Sequence, residues 1–276
     1  YGAIICHAEA HIAVDECNSP ELFTGGAKII GLPAPGGKIT PAMVEKTLKG
    51  FIRGEHDPKP RGVSLTNATE LGTVYAPAEV KAMSDLIRPR GMKLHMDGAR
   101  FANALAGLGV SPADLTWKSG VDVLSFGATK NGAMMLEAVV FFDPALAEDF
   151  AWRRMRGGQL ISKSRYLGAQ MLAYLEGGLW LENARRANAL ARKLGDGLAR
   201  VETIRIPNKV EANEVFAIMP RSLYARLQAA GARFYEWMPD SLGDAIGPDE
   251  VFARFVLSFA TPDEEVDQFL RLVETG

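Results

Sequence analysis

Only two cysteines, Cys6 and Cys17, occur in 276 residues. Two are too few for a disulfide framework, so a reducing compartment, the cytoplasm, is the expected setting. Long apolar runs are missing as well. A membrane-crossing helix needs roughly 20 apolar residues in a row, and no such run is present, so no membrane contact is expected. Neither charge is in excess: 31 Lys and Arg face 33 Asp and Glu, for a net charge of −2, and the signs are interspersed. That excludes the basic stripe of a nucleic-acid binder and the acidic block of a disordered tail. Of the four histidines, only His7 and His11 lie close together, with no further ligand-like spacing, so no metal site is expected. The partners left are a small molecule and a second copy of the chain. The starting Met is also lacking. The chain opens Tyr1-Gly2-Ala3-Ile4-Ile5 as a loop already feeding a strand, and residues ahead of Tyr1 are expected.

What is present is a chain long enough for one large domain or two modest ones. Short β-rich runs at 3–6, 27–32, 62–65, 92–96, 121–126 and 137–142 alternate with amphipathic helical stretches at 41–52, 77–88 and 99–108. Several of the runs are apolar throughout, as in strands covered on both faces. Thr40 before Pro41 is a helix N-cap with proline at the first position. This alternation predicts an open, mainly parallel α/β sheet. The last two runs are joined by a stretch too short for a helical crossover, which predicts an antiparallel pair with Lys130 on its connection. The pattern from 144 to 199 is mostly helical, interrupted at Gly157-Gly158 and Gly177-Gly178, the second a plausible hinge. Strands at 204–206, 214–219, 233–237 and 254–259 and helices at 222–230 and 262–273 then predict a small α+β domain. The expected division is 1–177 and 178–276. Met134-Met135 reads as core, and Trp152 with Arg153, Arg154 and Arg156 as a solvated face.

Two segments concentrate the chemistry: His95-Met96-Asp97-Gly98-Ala99-Arg100 and Ser125-Phe126-Gly127-Ala128-Thr129-Lys130. One strand–helix–strand unit separates Asp97 from Lys130, which puts both at the carboxyl edge of the sheet, where open α/β folds bind ligands. Pyridoxal phosphate chemistry needs such a pair. A carboxylate keeps the cofactor's ring nitrogen protonated, and a lysine amine holds the cofactor in a Schiff base. Taken singly, Asp97 also reads as a helix cap or turn residue and Lys130 as a solvated loop lysine.

These segments, with Ala10-His11-Ile12 and Arg254-Phe255-Val256, resemble the threonine aldolase family of pyridoxal phosphate enzymes with the aspartate-aminotransferase type of fold. Asp15-Glu16-Cys17, Ala68-Thr69-Glu70 and Leu172-Ala173-Tyr174-Leu175-Glu176 look closest to its bacterial low-specificity L-threonine and phenylserine aldolase branch. The resemblance spans about Cys6 to Leu272. It implies a cofactor-binding large domain and a small C-terminal domain. It also implies that His11 stacks on the pyridine ring, that Asp97, Arg100, Thr129 and Lys130 contact the cofactor, and that Arg100 and Arg254 bind the substrate carboxylate. A planar guanidinium suits the last task because it binds a carboxylate bidentately.

The implied reaction is retro-aldol cleavage of β-hydroxy-α-amino acids (L-threonine, L-allo-threonine, phenylserine) to glycine and an aldehyde, in a homotetramer with active sites between subunits. Other reactions on the same fold, β-elimination or transamination, and a non-catalytic subunit are the alternatives. Two departures from the family stand out. Its Gly-Thr-x-Ala-Asn phosphate loop has no counterpart here and would fall ahead of Tyr1. Where many relatives have Thr-His-Asn, this chain has Thr66-Asn67-Ala68-Thr69-Glu70, so the base is His11, Glu70 or a bound water.

Overall fold

The computed structural model describes residues 1–237 and 246–275. Six strands form the main sheet: β1 (Gly2–His7), β2 (Lys28–Leu32), β3 (Lys59–Thr66), β4 (Lys93–Gly98), β5 (Val123–Gly127) and β6 (Glu137–Phe141), lying in the order β2-β1-β3-β4-β5-β6. The pairs through β5 are parallel, and β6 returns antiparallel on β5 with Lys130 on the connection, as its shortness predicts.

Helices α1 (His11–Val14), α2 (Ser19–Thr24), α3 (Pro41–Leu48), α4 (Pro77–Ile87), α5 (Phe101–Leu108) and α6 (Pro112–Leu115) lie between these strands. The Thr40 hydroxyl caps α3 by accepting the Met43 N–H at 3.3 Å. That helix stops at Leu48, short of the expected 52, just before Lys49-Gly50; glycine is a poor helix former. Likewise α5 starts at Phe101 and not at 99. The Asp97 carboxylate takes the Ala99 N–H at 2.9 Å, and Arg100 sits at φ −122°, outside helical geometry. The turn at the end of β4 is thus built by the residue whose chemistry matters most there.

Alternation along the strands separates core from site. Val63 and Leu65 of β3, Leu94 and Met96 of β4, and Leu124 and Phe126 of β5 are buried in the main core. Phe126 meets Phe101 edge-on at 6.0 Å and Trp180 at 5.7 Å; burying a side chain of this kind contributes about 1.5–3 kcal/mol. The opposite alternation is polar: Ser64 and Thr66, His95 and Asp97, and Ser125 line up across the three strands, with Thr66 beside Asp97 and Asp97 beside Ser125.

The helical stretch resolves into α7 (Phe150–Arg156), α8 (Arg165–Leu175) and α9 (Leu179–Leu198). Gly177 at φ 61° and Gly178 at φ 80° join α8 to α9 through left-handed backbone, which glycine adopts without steric cost. Trp180 and Ala184 of α9 pack in the main core, whereas Leu190, Ala191, Leu194 and Leu198 pack in a second core. Helix α9 thus contributes to both cores.

The second core lies under a three-stranded antiparallel sheet of β7 (Glu214–Pro220), β8 (Tyr235–Glu236) and β9 (Glu250–Val256), ordered β7-β9-β8, with α10 (Arg221–Ala229) and α11 (Asp263–Glu274) packed on it. The strand expected at 254–259 begins at Glu250 and ends at Val256, because a turn closed by Thr261 Oγ1 accepting the Ser258 N–H bends the chain away. The run at 204–206 supplies only an isolated bridge, Arg205 to Ile218. Met134 and Met135 are not core: they are 90% and 60% exposed on the connection beyond Lys130. Among the described residues no helix is long and apolar enough to cross a membrane.

Candidate active site

The carboxyl ends of β3, β4 and β5 bring the chemistry together. Gly98 and Gly127 let these ends approach closely: a Cβ on Gly98 would stand 2.6 Å from the Ser125 carbonyl oxygen, and one on Gly127 2.7 Å from Ala99 Cα. Lys130 follows immediately after β5. Burial, then the Arg100 charge, lowers its pKa, against the opposing pull of Asp97, Glu214 and Glu137. Burial and a neighbouring cation both favour the neutral amine, the form that adds to a carbonyl. The next residue fixes the loop. Buried Asn131 donates from Nδ2 to the Tyr174 hydroxyl and to the Trp180 carbonyl oxygen, each at 2.7 Å, and its own carbonyl accepts from Asn183 at 3.0 Å.

Asp97 uses Oδ1 on the Ala99 N–H, and Oδ2 has no hydrogen-bond partner among the described residues. Beneath it His95 is bridged between serines, Nδ1 to Ser64 Oγ at 2.8 Å and Nε2 to Ser125 Oγ at 3.0 Å. Burial lowers the His95 pKa while Asp97 pulls it up. A neutral imidazole between two hydroxyls makes a rigid floor under the carboxylate.

Glu70 and His11 adjoin. Glu70 Oε1 accepts the His11 N–H at 3.0 Å and the Thr66 hydroxyl at 2.9 Å, and Oε2 is buried without a partner. Burial pushes the Glu70 carboxyl up to about 7, against its hydrogen bonds and with help from Asp97. The His11 ring places Nδ1 2.6 Å from Glu16 Oε1. A carboxylate only accepts, so Nδ1 carries the proton and a neutral ring keeps Nε2 as its acceptor. His7 is a structural peg. Its Nδ1 accepts the Glu9 N–H at 3.1 Å, and Nε2 donates to the Ala34 carbonyl oxygen at 2.9 Å. Among the described residues no three His, Cys, Asp or Glu side chains stand at metal-binding spacing.

Three expected contacts take other partners. The Thr129 hydroxyl donates to the Leu136 carbonyl oxygen at 3.1 Å and accepts the Leu136 N–H at 2.9 Å. It closes the 129–136 loop. Arg254, on β9, donates from Nε at 2.9 Å and Nη2 at 2.6 Å to Glu214 Oε1, and Arg100 Nη2 reaches the same oxygen at 3.2 Å. Both arginines expected at a substrate carboxylate thus share a carboxylate of the protein. Trp237 covers Arg254 at 4.5 Å from ring centroid to guanidinium carbon. Glu214, His95 and Asn131 escape sequence reasoning. The Ser64, His95 and Ser125 alternation is the one signal that was available for His95.

These residues fit pyridoxal phosphate. Asp97 Oδ2 lacks a partner among the described residues and suits a protonated ring nitrogen. Lys130 has neither an ion pair nor a hydrogen bond among the described residues and is biased toward its neutral form.

The beta-eliminating lyase family model matches residues 1–222. The low specificity L-threonine aldolase of a Pseudomonas species is 44% identical over 267 residues, 96% of this chain and 74% of that protein. Its counterpart in Pseudomonas aeruginosa is 44% identical over 271 residues, 98% of this chain and 75% of that protein. Among solved structures, the threonine aldolase of Leishmania major superposes with a TM-score of 0.90 at 27% identity, covering 99% of this chain and 77% of that one.

Proposed function

Because the chain belongs to the threonine aldolases of the beta-eliminating lyase family, we propose that it cleaves β-hydroxy-α-amino acids, L-threonine, L-allo-threonine and phenylserine among them, to glycine and an aldehyde. The observation that carries this reading is the convergence of Lys130 and Asp97 at one sheet edge beside Glu70, a carboxyl held near pKa 7. Lys130 would hold pyridoxal phosphate through its amine, Asp97 would hold the ring nitrogen, and the flat His11 ring would stack on the pyridine. The bound cofactor supplies an electron sink for the pair released at Cα.

The protein's part is binding, orientation and proton movement. Arg254, with Arg100 beside it, would anchor the α-carboxylate and so fix the orientation of the bonds at Cα. Glu70 Oε2, unpartnered and buried, takes the β-hydroxyl proton, and the Cα–Cβ bond breaks as the carbonyl of the aldehyde forms. A pKa near the working pH suits a group that must take up and return a proton. A proton delivered to Cα completes glycine.

Incubation with L-threonine tests the reading: glycine and acetaldehyde in equal amounts are expected. Ammonia and a keto acid would mean elimination instead.

The working unit is a homotetramer with active sites between subunits. Met134, 90% exposed, adjoins α8, where Gln170 Oε1 accepts its N–H at 3.1 Å, and Leu172 on that helix is 74% exposed; exposed apolar side chains of this kind mark an interface. Both cysteines are unpaired, which suits a cytoplasmic protein.

A further inference from the structure

Arg100 and Arg254 come from different sheets, one from the turn after β4 and one from β9, yet they meet at a single oxygen, Glu214 Oε1. Glu214 opens β7. In the β7–β9 register Phe216 faces Arg254, so Glu214 lies diagonally across from it on the same face. The Glu214 side chain is fully buried, while those of Arg100 and Arg254 are 13% and 22% exposed. Gly72 at φ 75° packs against it, so close that a Cβ there would lie 3.4 Å from Glu214 Cβ.

Two guanidiniums this close repel each other unless an anion sits between them, and a buried cation is costly without a partner. Glu214 supplies that anion, and one carboxylate against two cations leaves one positive charge for a ligand. It also sets direction. With Nε and Nη2 of Arg254 on Glu214 and Trp237 against its face, Nη1 has no partner among the described residues. That leaves one edge of a clamped, planar donor for an incoming carboxylate.

We infer that Glu214 is a positioning residue that locks Arg100 and Arg254 into one unit and thereby sets how tightly the site grips the α-carboxylate of its amino-acid substrate. The inference rests on the aldolase reading. A competing role predicts the opposite sign: a carboxylate occupying the arginines in place of substrate would weaken binding, and its removal would tighten it.

The test is Glu214→Gln in the cofactor-loaded protein, with Glu214→Asp as the milder second variant if the first does not fold. Glycine affinity is read from the change in cofactor absorbance on titration, KM and kcat are measured for L-threonine, and melting temperature and the cofactor band serve as controls. The expected result is a tenfold or greater loss of glycine affinity and rise in KM, with a smaller fall in kcat, in a protein that still carries its cofactor. Glu214→Gln combined with Arg100→Ala and Arg254→Ala should be no worse for glycine than the two arginine changes alone, since the carboxylate acts through both arginines. Unchanged or tighter glycine binding in a folded, loaded variant overturns the inference, as does KM and kcat shifting together by the same factor. A wild-type protein that binds glycine yet leaves threonine uncleaved overturns the aldolase reading instead, and the glycine titration still decides the role of Glu214.

Discussion

The backbone N–H of His11 donates to Glu70 Oε1 at 3.0 Å, tying the start of α1 to the loop after β3. The residue placed against the cofactor ring and the residue placed at the substrate hydroxyl are thereby held by one bond. Because Thr66 binds the same oxygen, Oε2 is the only oxygen of Glu70 left for substrate. A change at Glu70 therefore acts on proton transfer and on the seating of α1 together.

Glu70 makes the chain pH-sensitive with a definite sign. Its carboxyl sits at about 7 in the folded protein against an ordinary 4.5, so between those values the folded state binds a proton that the unfolded state releases. Stability should fall as pH rises through this window, by a few kcal/mol at most, and Glu70→Gln should flatten that fall. Activity runs the other way, because a base works deprotonated. kcat/KM should rise through about pH 7 in the wild type, and Glu70→Gln should lose that limb along with about 10²–10⁴-fold in rate. A wild-type limb that survives in the variant assigns the proton to His11 or to water.

Lys130→Ala should abolish the covalent cofactor band and borohydride labelling and bring activity to background. Nothing else in the described structure pairs with the Lys130 amine, so the fold loses no hydrogen bond and the melting temperature of the cofactor-free protein should barely move. Borohydride labelling of the variant at a single site would sink the assignment.

Asp97 and Lys130 were legible because a parallel sheet sends its strand ends to one edge, so a residue near the end of β4 and one just past β5 share that edge. Glu214 was not legible. In Val210-Glu211-Ala212-Asn213-Glu214-Val215 it reads as the charged first residue of the strand at 214–219, and charges are mostly exposed. Its burial is set by Arg100 and Arg254, which only the meeting of two sheets brings near. His95 was hidden by adjacency, since Asp97 claimed the chemistry of the same strand, although the polar alternation with Ser64 and Ser125 was visible. Met134-Met135 misled for a physical reason: an apolar pair belongs inside a lone chain, and its exposure makes sense only if another surface covers it.

That surface can be probed directly. Leu172 is 74% exposed on α8, yet Tyr174, on the other side of the same turn, is buried against the main core. Leu172→Glu should therefore leave the monomer's core intact while placing a charge in the subunit contact, where an unpaired one costs several kcal/mol. Size exclusion with light scattering should find a tetramer for the wild type and smaller species for the variant, with threonine cleavage falling in parallel. A wild-type monomer that is fully active would remove the shared active site.

Asn131 ties the cofactor lysine to the helical layer. Its Nδ2 is the donor to two acceptors, the Trp180 carbonyl and the Tyr174 hydroxyl, and Asn131→Ala strands a buried carbonyl at a cost of about 1–3 kcal/mol. The melting temperature should drop by several degrees, and cofactor affinity should weaken because the loop that aims Lys130 is loosened. Asn131→Asp is the sharper variant. It keeps the shape but turns an acceptor, and at neutral pH a charge, toward the Trp180 carbonyl; the Tyr174 hydroxyl can rotate to donate, whereas the carbonyl cannot. Asp should therefore destabilise more than Ala, and the gap should narrow as pH falls and the carboxyl regains a proton to donate. If Asp were tolerated as well as Asn at neutral pH, the side chain would be a space filler, and the aim of Lys130 would have to come from the Asn131 carbonyl and its bond to Asn183 alone.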